Sequence, residues 1–220
     1  LLLKPDYADA LYNLGNTLKE QGKLDKSIDA YTQALSINPN FAEAYNNMGT
    51  ALKRQKKLEE ALLAYKKALS LKPHYADAHF NMGIVLKDQG KLEEAIVAYK
   101  KVLSINPDFA DAYNNMGVAL LDQGKLQLAI KAYTDAISIQ PDHLDAYWNL
   151  YGTVDNIGEA IKWIEQCLRV NPNYLKAKLV MSALNFYMGN EVDFNTILKS
   201  SLKNHPYVRS FNWAFSLPKL

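Results

Sequence analysis

ADAHFNMGIVLKDQGKLEEAIVAYKKVLSINPDF occupies residues 76–109. Its phrase Asn81-Met82-Gly83 returns as Asn13-Leu14-Gly15, Asn47-Met48-Gly49 and Asn115-Met116-Gly117, always 34 residues apart, and Asn149 falls on the same grid. A fixed period of this length means a solenoid, in which each unit buries its apolar face only by stacking on its neighbours. The recurrence is also an internal alignment. Slots are numbered here from the first residue of each unit, so that Ala8, Ala42, Ala76, Ala110 and Leu144 hold slot one.

The quoted stretch reads as two helices. Gly90 ends the first, as do Gly22 and Gly124, in the manner of C-cap glycines. Lys56 holds that slot in the second unit, which predicts a slightly strained turn. Pro39, Pro73, Pro107 and Pro141 stop the second helix, because proline lacks an N–H and clashes with the preceding turn. Acidic residues follow at slot two (Asp9, Glu43, Asp77, Asp111, Asp145), in the first turn, where the helix dipole favours them. Each unit is therefore a helical hairpin.

Slots four, seven and eleven form one helical stripe: Leu11, Leu14, Leu18; Tyr45, Met48, Leu52; His79, Met82, Leu86; Tyr113, Met116, Leu120. Gly15, Gly49, Gly83 and Gly117 lie beside it. Glycine costs about 1 kcal/mol in a helix interior, so four in register imply an approach too close for a side chain. Ser27, Ala61, Ala95 and Ala129 are the expected opposing surface, with Tyr31, Tyr65, Tyr99 and Tyr133 as wedges between units.

These residues agree in register with the tetratricopeptide repeat, which the chain resembles over nearly its whole length. The resemblance implies an all-α, right-handed superhelix of stacked helical hairpins whose concave face is lined by first helices. The expected division is the end of a preceding repeat at 1–7, regular units at 8–41, 42–75, 76–109 and 110–143, a shortened unit at 144–174, a degenerate capping repeat at 175–203, and an aromatic tail or linker at 204–220. The opening residues match the end of a repeat, so the chain reads as a piece of a longer protein. In the shortened unit Tyr151 replaces the packing glycine, and Asn156-Ile157-Gly158 is expected to make the turn.

Composition narrows the function. Net charge is +2, with 25 basic and 23 acidic residues, which argues against nucleic acid or an anionic membrane as the main partner. No stretch approaches the length of a transmembrane helix. Cys167 is the single cysteine; its slot otherwise holds Ala34, Ala68, Val102 and Ala136, so it reads as a small core residue. One cysteine fits a reducing compartment, and a cytoplasmic location is the expectation. His74, His79, His143 and His205 lack metal-ligand spacing. No phosphate loop or nucleophile elbow is present. The expectation is a non-enzymatic module without a cofactor.

Helical arithmetic separates the two halves of the recurring phrase. At about 100° per residue, slot six lies well off the core, on a face shared with slots two, nine and thirteen. Asparagine is a mediocre helix former, yet Asn13, Asn47, Asn81, Asn115 and Asn149 recur there. Their amides offer both a donor and an acceptor, matching an extended peptide backbone. The expectation is an asparagine ladder that holds peptide main chain. The alternative is that these amides bond between adjacent units. Slot nine drifts, as Asn16, Thr50, Ile84 and Val118. Slot five holds Tyr12, Asn46, Phe80, Asn114 and Trp148, placed either to meet ligand side chains or to pack the rim. Lys19, Lys53 and Lys87 form a row further along.

An asparagine at slot six in unit after unit resembles the array of O-linked N-acetylglucosamine transferases. That family uses such a ladder to carry protein substrates to a separate catalytic domain. Chaperone-binding tetratricopeptide domains instead clamp a C-terminal carboxylate with Lys and Arg. The matching positions here hold Tyr12, Asn16, Asn47, Asp77 and Asn81, so the basic members are missing. The leading expectation is thus a module binding protein or peptide in its groove. Alternatives are the substrate-recruiting arm of a larger glycosyltransferase or methyltransferase, and a scaffold that associates end to end.

Overall fold

The computed structural model describes residues 5–188. The remainder of the expected capping repeat, the tail and the first four residues lie outside them. The described residues form eleven helices and no strand, an all-α repeat solenoid. The chain divides into two compact units, residues 1–124 and 125–220. The first contains α1 (Pro5–Glu20), α2 (Leu24–Ile37), α3 (Ala42–Arg54), α4 (Leu58–Leu71), α5 (Ala76–Asp88), α6 (Leu92–Ile105) and α7 (Ala110–Asp122). The second contains α8 (Leu126–Ile139), α9 (Leu144–Tyr151), α10 (Ile157–Val170) and α11 (Leu175–Tyr187).

The turns follow the sequence closely. Gly22, Gly90 and Gly124 adopt φ of 73–74°, and Lys56 takes the same left-handed conformation at φ 65°. A non-glycine residue there is strained, because its Cβ crowds the backbone. Lys56 is the only such residue described. Second helices end at Ile37, Leu71, Ile105, Ile139 and Val170, just before the Asn-Pro, Lys-Pro or Gln-Pro pairs.

In the first unit, one cluster joins α3 to α6: Leu52, Ala61, Leu62, Ala64, Tyr65, Val85, Leu86, Ala95, Ala98 and Tyr99 are all buried, with Met48, Phe80 and Met82 packed on it. The glycines explain themselves here. A Cβ on Gly15, Gly49 or Gly83 falls 2.5–2.7 Å from Cε1 of Tyr31, Tyr65 or Tyr99 in the same hairpin. The missing side chain is the seat of a tyrosine ring. The expected small surface at slot twenty is present as well, since Ser27 Oγ donates to Gly15 O at 2.8 Å and Ala61 and Ala95 are buried.

The second unit inverts this arrangement. Tyr151 stands at the glycine slot, and the tyrosine slot, shifted by the three missing residues, holds Ile164, fully buried. The aromatic ring has moved from the second helix of the hairpin to the first. Helix α9 has 8 residues, against 13 in α3, α5 and α7. The turn expected at Asn156-Ile157-Gly158 falls instead at Gly152-Thr153; Ile157 and Gly158 are helical, and Asn156 Oδ1 accepts from Glu159 N at 2.8 Å and caps α10. An Asx side chain before an apolar run favours a helix start over a turn. Cys167 is fully buried beside Ile164, and burial pushes its thiol up to about 11.

Candidate peptide groove

The sixth-slot amides meet the rest of the first-helix face in a hydrogen-bonded chain. Asn47 Nδ2 on α3 donates to Asn16 Oδ1 at 2.8 Å and to Tyr12 Oη at 3.0 Å, both on α1. Tyr31 Oη on α2 donates to the same Asn16 oxygen at 2.7 Å. Asn46 Nδ2 donates to Asn47 Oδ1 at 3.2 Å, and Asn81 Nδ2 on α5 donates to Asn46 Oδ1 at 3.1 Å. The chain crosses three repeats. Asn47 and Asn81 therefore bond between adjacent units, the second of the two readings their sequence allowed.

A simple rule decides which amides are engaged. The slot-six asparagine bonds to slot five of the preceding repeat when that slot is polar, as with Tyr12 and Asn46. Asn115 is preceded by Phe80, which offers no acceptor, and it donates instead to Asp111 O of its own helix at 2.9 Å. Asn13 is exposed, with no side-chain hydrogen bond. Among the described residues, nothing donates to the side-chain oxygens of Asn81 and Asn115. Asn149 lies in the second unit, half-buried.

Slot five belongs to the packing more than to an open surface. Tyr12 stacks on Phe41 with ring centroids 4.7 Å apart, and Phe80 on Phe109 at 4.8 Å. Trp148 lies 5.3 Å from Tyr151 and 5.5 Å from Tyr174. Asn46 and Asn114 are buried polar residues at 5% and 7% exposure. Where slot five is Asn46, slot thirty-four is Tyr75 rather than phenylalanine. Burial, with the nearby Asp77 charge, pushes that phenol up to about 12. A buried amide costs free energy unless paired, and Asn46 is paired through both side-chain atoms, with Asn47 and with Asn81.

The lysine row is half-buried. Burial lowers the ammonium pKa of Lys19 and of Lys53; the Glu20 charge opposes this at Lys19, and Asp88 opposes it at Lys53. Lys87 Nζ lies 3.6 Å from Asp88 Oδ1. Arg54 reaches across from α3 and donates to Lys19 O at 2.9 Å, capping the C-terminus of α1. The acidic end of the face is partly neutralised: Lys72 Nζ sits 3.0 Å from Glu43 Oε1 and lowers its pKa.

Sequence reasoning missed the second-helix tyrosines as polar participants. Tyr31 reaches Asn16 at slot nine, and Tyr65 Oη lies 3.3 Å from Thr50 Oγ1 at the same slot. Tyr99 faces Ile84, and its buried hydroxyl has no partner. The signal was in the slot-nine drift over the first three repeats, from Asn16 and Thr50, which meet the phenol, to Ile84, which offers it no partner. The second unit holds a separate open cleft of about 640 Å³, lined by Leu126, Ile130, Tyr151, Thr153, Val154 and Glu159 among others. It lies beside the shortened hairpin and contains no amide row.

Family models for the TPR repeat match residues 15–56, 51–90 and 85–124, and those for the tetratricopeptide repeat match 110–143 and 149–174. The chain belongs to the tetratricopeptide-repeat family. Its hairpins resemble the crystal structure of MamA at 27% identity and a TM-score of 0.66, over 74% of this chain and 96% of that one. PilF of Pseudomonas aeruginosa shares the fold at 16% identity and a TM-score of 0.79, over 92% and 93% of the two chains. The first TPR of Spaghetti (RPAP3), solved bound to HSP90 peptide SRMEEVD, is 28% identical with a TM-score of 0.55, over 56% of this chain and 98% of that one. No curated protein matches the chain significantly. Tetratricopeptide repeats of this kind support a role in protein–protein interaction. No described helix is long and apolar enough to cross a membrane.

Proposed function

We propose that the first-helix face of residues 8–124 binds an extended segment of a partner protein, main chain first. The observation that carries this is the amide chain itself. Polar side chains run across three repeats of a face whose aromatic residues are already packed among themselves. Asn13, Asn81 and Asn115 retain groups facing away from that chain's own bonds, and these suit the N–H and C=O of an extended strand. Asn47 acts differently: its inter-repeat bonds hold the row in register. Asn149, the fifth asparagine of the sequence recurrence, lies in the second unit. The peptide-bound Spaghetti repeats support a peptide as the ligand class. Their mode does not carry over unchanged, because the carboxylate-clamp positions here are Tyr12, Asn16, Asn47, Asp77 and Asn81. The lysine row beside the amides would favour acidic side chains in the bound segment.

Each amide contact is worth a net ~1 kcal/mol, while ordering an extended peptide costs ~1–2 kcal/mol per residue. The amides alone do not offset that cost, so side-chain contacts and length must add to them, and affinity should be micromolar at best, on the order of −8 kcal/mol. The test is binding of a labelled peptide library to the wild-type chain and to Asn81→Ala/Asn115→Ala. Affinity should fall by roughly thirtyfold for all bound sequences alike, as loss of two main-chain contacts at about 1 kcal/mol each requires. Unchanged binding, with an unchanged thermal midpoint, sinks the reading. A loss confined to particular sequences would mean side-chain recognition instead.

A further inference from the structure

The second-helix face carries a pattern that groove binding leaves unused. Slot twenty-two holds Asp29 and Lys131 in the outer regular repeats, but Leu63 and Val97 in the two central ones. Both aliphatic side chains stand out into solvent, at 68% and 67% exposure. Single exposed aliphatics are ordinary; their surroundings are not. On α4 the exposed residues around Leu63 are Glu59 and Glu60 on one side, Lys66 and Lys67 on the other. On α6 the exposed residues around Val97 are Glu93 and Glu94, then Lys100 and Lys101. Each helix thus reads Glu-Glu, aliphatic, Lys-Lys, with the aliphatic residue at the centre of symmetry. Glutamate and lysine are six to eight residues apart, which exceeds the three- or four-residue spacing of an intrahelical pair. Among the described residues, none of the eight charges makes an ion pair. Glu59 accepts a hydrogen bond from Gln89 Nε2 at 3.1 Å.

We propose that α4 and α6 form an isologous contact with a second copy of this chain. Take a two-fold axis across the two helices at the level of Leu63 and Val97. It lays α4 antiparallel on the α4 of the other copy, and α6 likewise on α6. Glu60 then faces Lys67 of the other copy and Glu59 faces Lys66, while Glu94 faces Lys101 and Glu93 faces Lys100. Leu63 and Val97 meet their own counterparts at the centre. A two-fold contact must be self-complementary in this way, and a parallel arrangement would set glutamate on glutamate. Each helix has 14 residues and is about 21 Å long. Two helix faces of that length bury roughly 800 Å² in total, the size of a weak and reversible contact. The occupant is a second copy because the charge pattern matches itself, on both helices, about the same line. This surface is separate from the proposed peptide groove, and neither proposal depends on the other.

The test uses two charge variants of the intact chain, each altered only at exposed positions and checked for native helicity. In Glu60→Lys/Glu94→Lys, lysine faces lysine across the axis; in Lys67→Glu/Lys101→Glu, glutamate faces glutamate. Sedimentation equilibrium should find the wild type in a monomer–dimer equilibrium that weakens at least tenfold from about 50 mM to about 500 mM salt. Each variant alone should be at least tenfold weaker. An equimolar mixture of the two should restore wild-type association, because unlike charges again face each other. Leu63→Ser/Val97→Ser should weaken association without changing its salt dependence. A wild-type chain that stays monomeric to about 1 mM, association that both charge variants leave unchanged, or a mixture that fails to associate would each overturn the proposal. The second outcome would point to end-to-end stacking instead.

Discussion

The repeats 8–41 and 76–109 share a plan and differ in how they satisfy it. Both seat a fully buried second-helix tyrosine in a first-helix glycine. In the first, Tyr31 donates its hydroxyl to Asn16; in the third, Tyr99 faces Ile84 and its hydroxyl has no partner. At slot four the first repeat has Leu11 and the third has His79, which carries a buried ring nitrogen without a partner. The shape of the solenoid is therefore held constant between repeats, while polar satisfaction is not. Shape comes from ring-in-glycine packing, which every hairpin needs in order to stack. Hydrogen bonding is negotiated locally, by whichever residue drifts into slot nine or slot five.

The largest effect tests the constant part. Tyr31→Ala and Tyr99→Ala each empty a ring site with no solvent access, and each should cost about 3–5 kcal/mol by urea denaturation. Similar losses at both positions would confirm that the packing role is shared; a small loss at either would break the comparison. Next come Gly15→Ala and Gly83→Ala. The new methyl falls 2.5 Å from the Tyr31 ring and 2.7 Å from the Tyr99 ring, and overpacking costs about 1–3 kcal/mol. Alanine recovers about 1 kcal/mol of helix propensity, so a net loss of about 1 kcal/mol is expected, larger at Gly15. Adding Tyr99→Ile to Gly83→Ala should recover part of that loss, since the hairpin with Tyr151 and Ile164 already exchanges the two sizes.

Removing only the hydroxyl sharpens the difference. Tyr31→Phe leaves Asn16 one donor short and should destabilise by about 1 kcal/mol. Tyr99→Phe deletes a buried group that bonds to nothing, so it should be neutral or stabilising. Ile84→Thr should then make Tyr99→Phe costly, because Thr50 already partners Tyr65 from that slot. A double-mutant cycle on thermal midpoints reads this coupling directly.

The solenoid was legible because its signals are short-range and repeated. Cap glycines, stop prolines and an apolar stripe act within one hairpin, and four copies average out exceptions such as Lys56. The position of the slot-six asparagines off the core was legible too, from helical angle alone. Their partners were not. Whether Asn47 faces peptide or Tyr12 depends on the stacking offset between hairpins, which no single-helix projection contains. The same offset hid the tyrosine rings behind the glycines. Asn156 was misplaced for a different reason: a deletion removes the register on which the internal alignment relies, and local capping chemistry decides in its place.

The smallest effect concerns His79. Its Nε2–H donates to Pro73 O at 3.0 Å, which leaves Nδ1 as the unprotonated nitrogen, buried and without a partner. Charging the ring would add a proton where nothing accepts it. Burial lowers its pKa below the ordinary 6.5, the Pro73 hydrogen bond raises it, and the Lys101 and His74 charges lower it further. A lowered folded-state pKa means that the unfolded chain takes up the proton first. The stability from neutral His79 is therefore complete above pH 6.5 and is lost as pH falls through the folded value. The repeat at 8–41 has no titrating group at that slot. In His79→Tyr the acid sensitivity of that local contribution should vanish while stability at neutral pH is kept. Tyr147, in the corresponding position, already donates to Pro141 O at 3.1 Å. Thermal midpoints at pH 7.5 and pH 5, compared between the two proteins, measure the effect, and an equal fall in both would show that His79 does not set it.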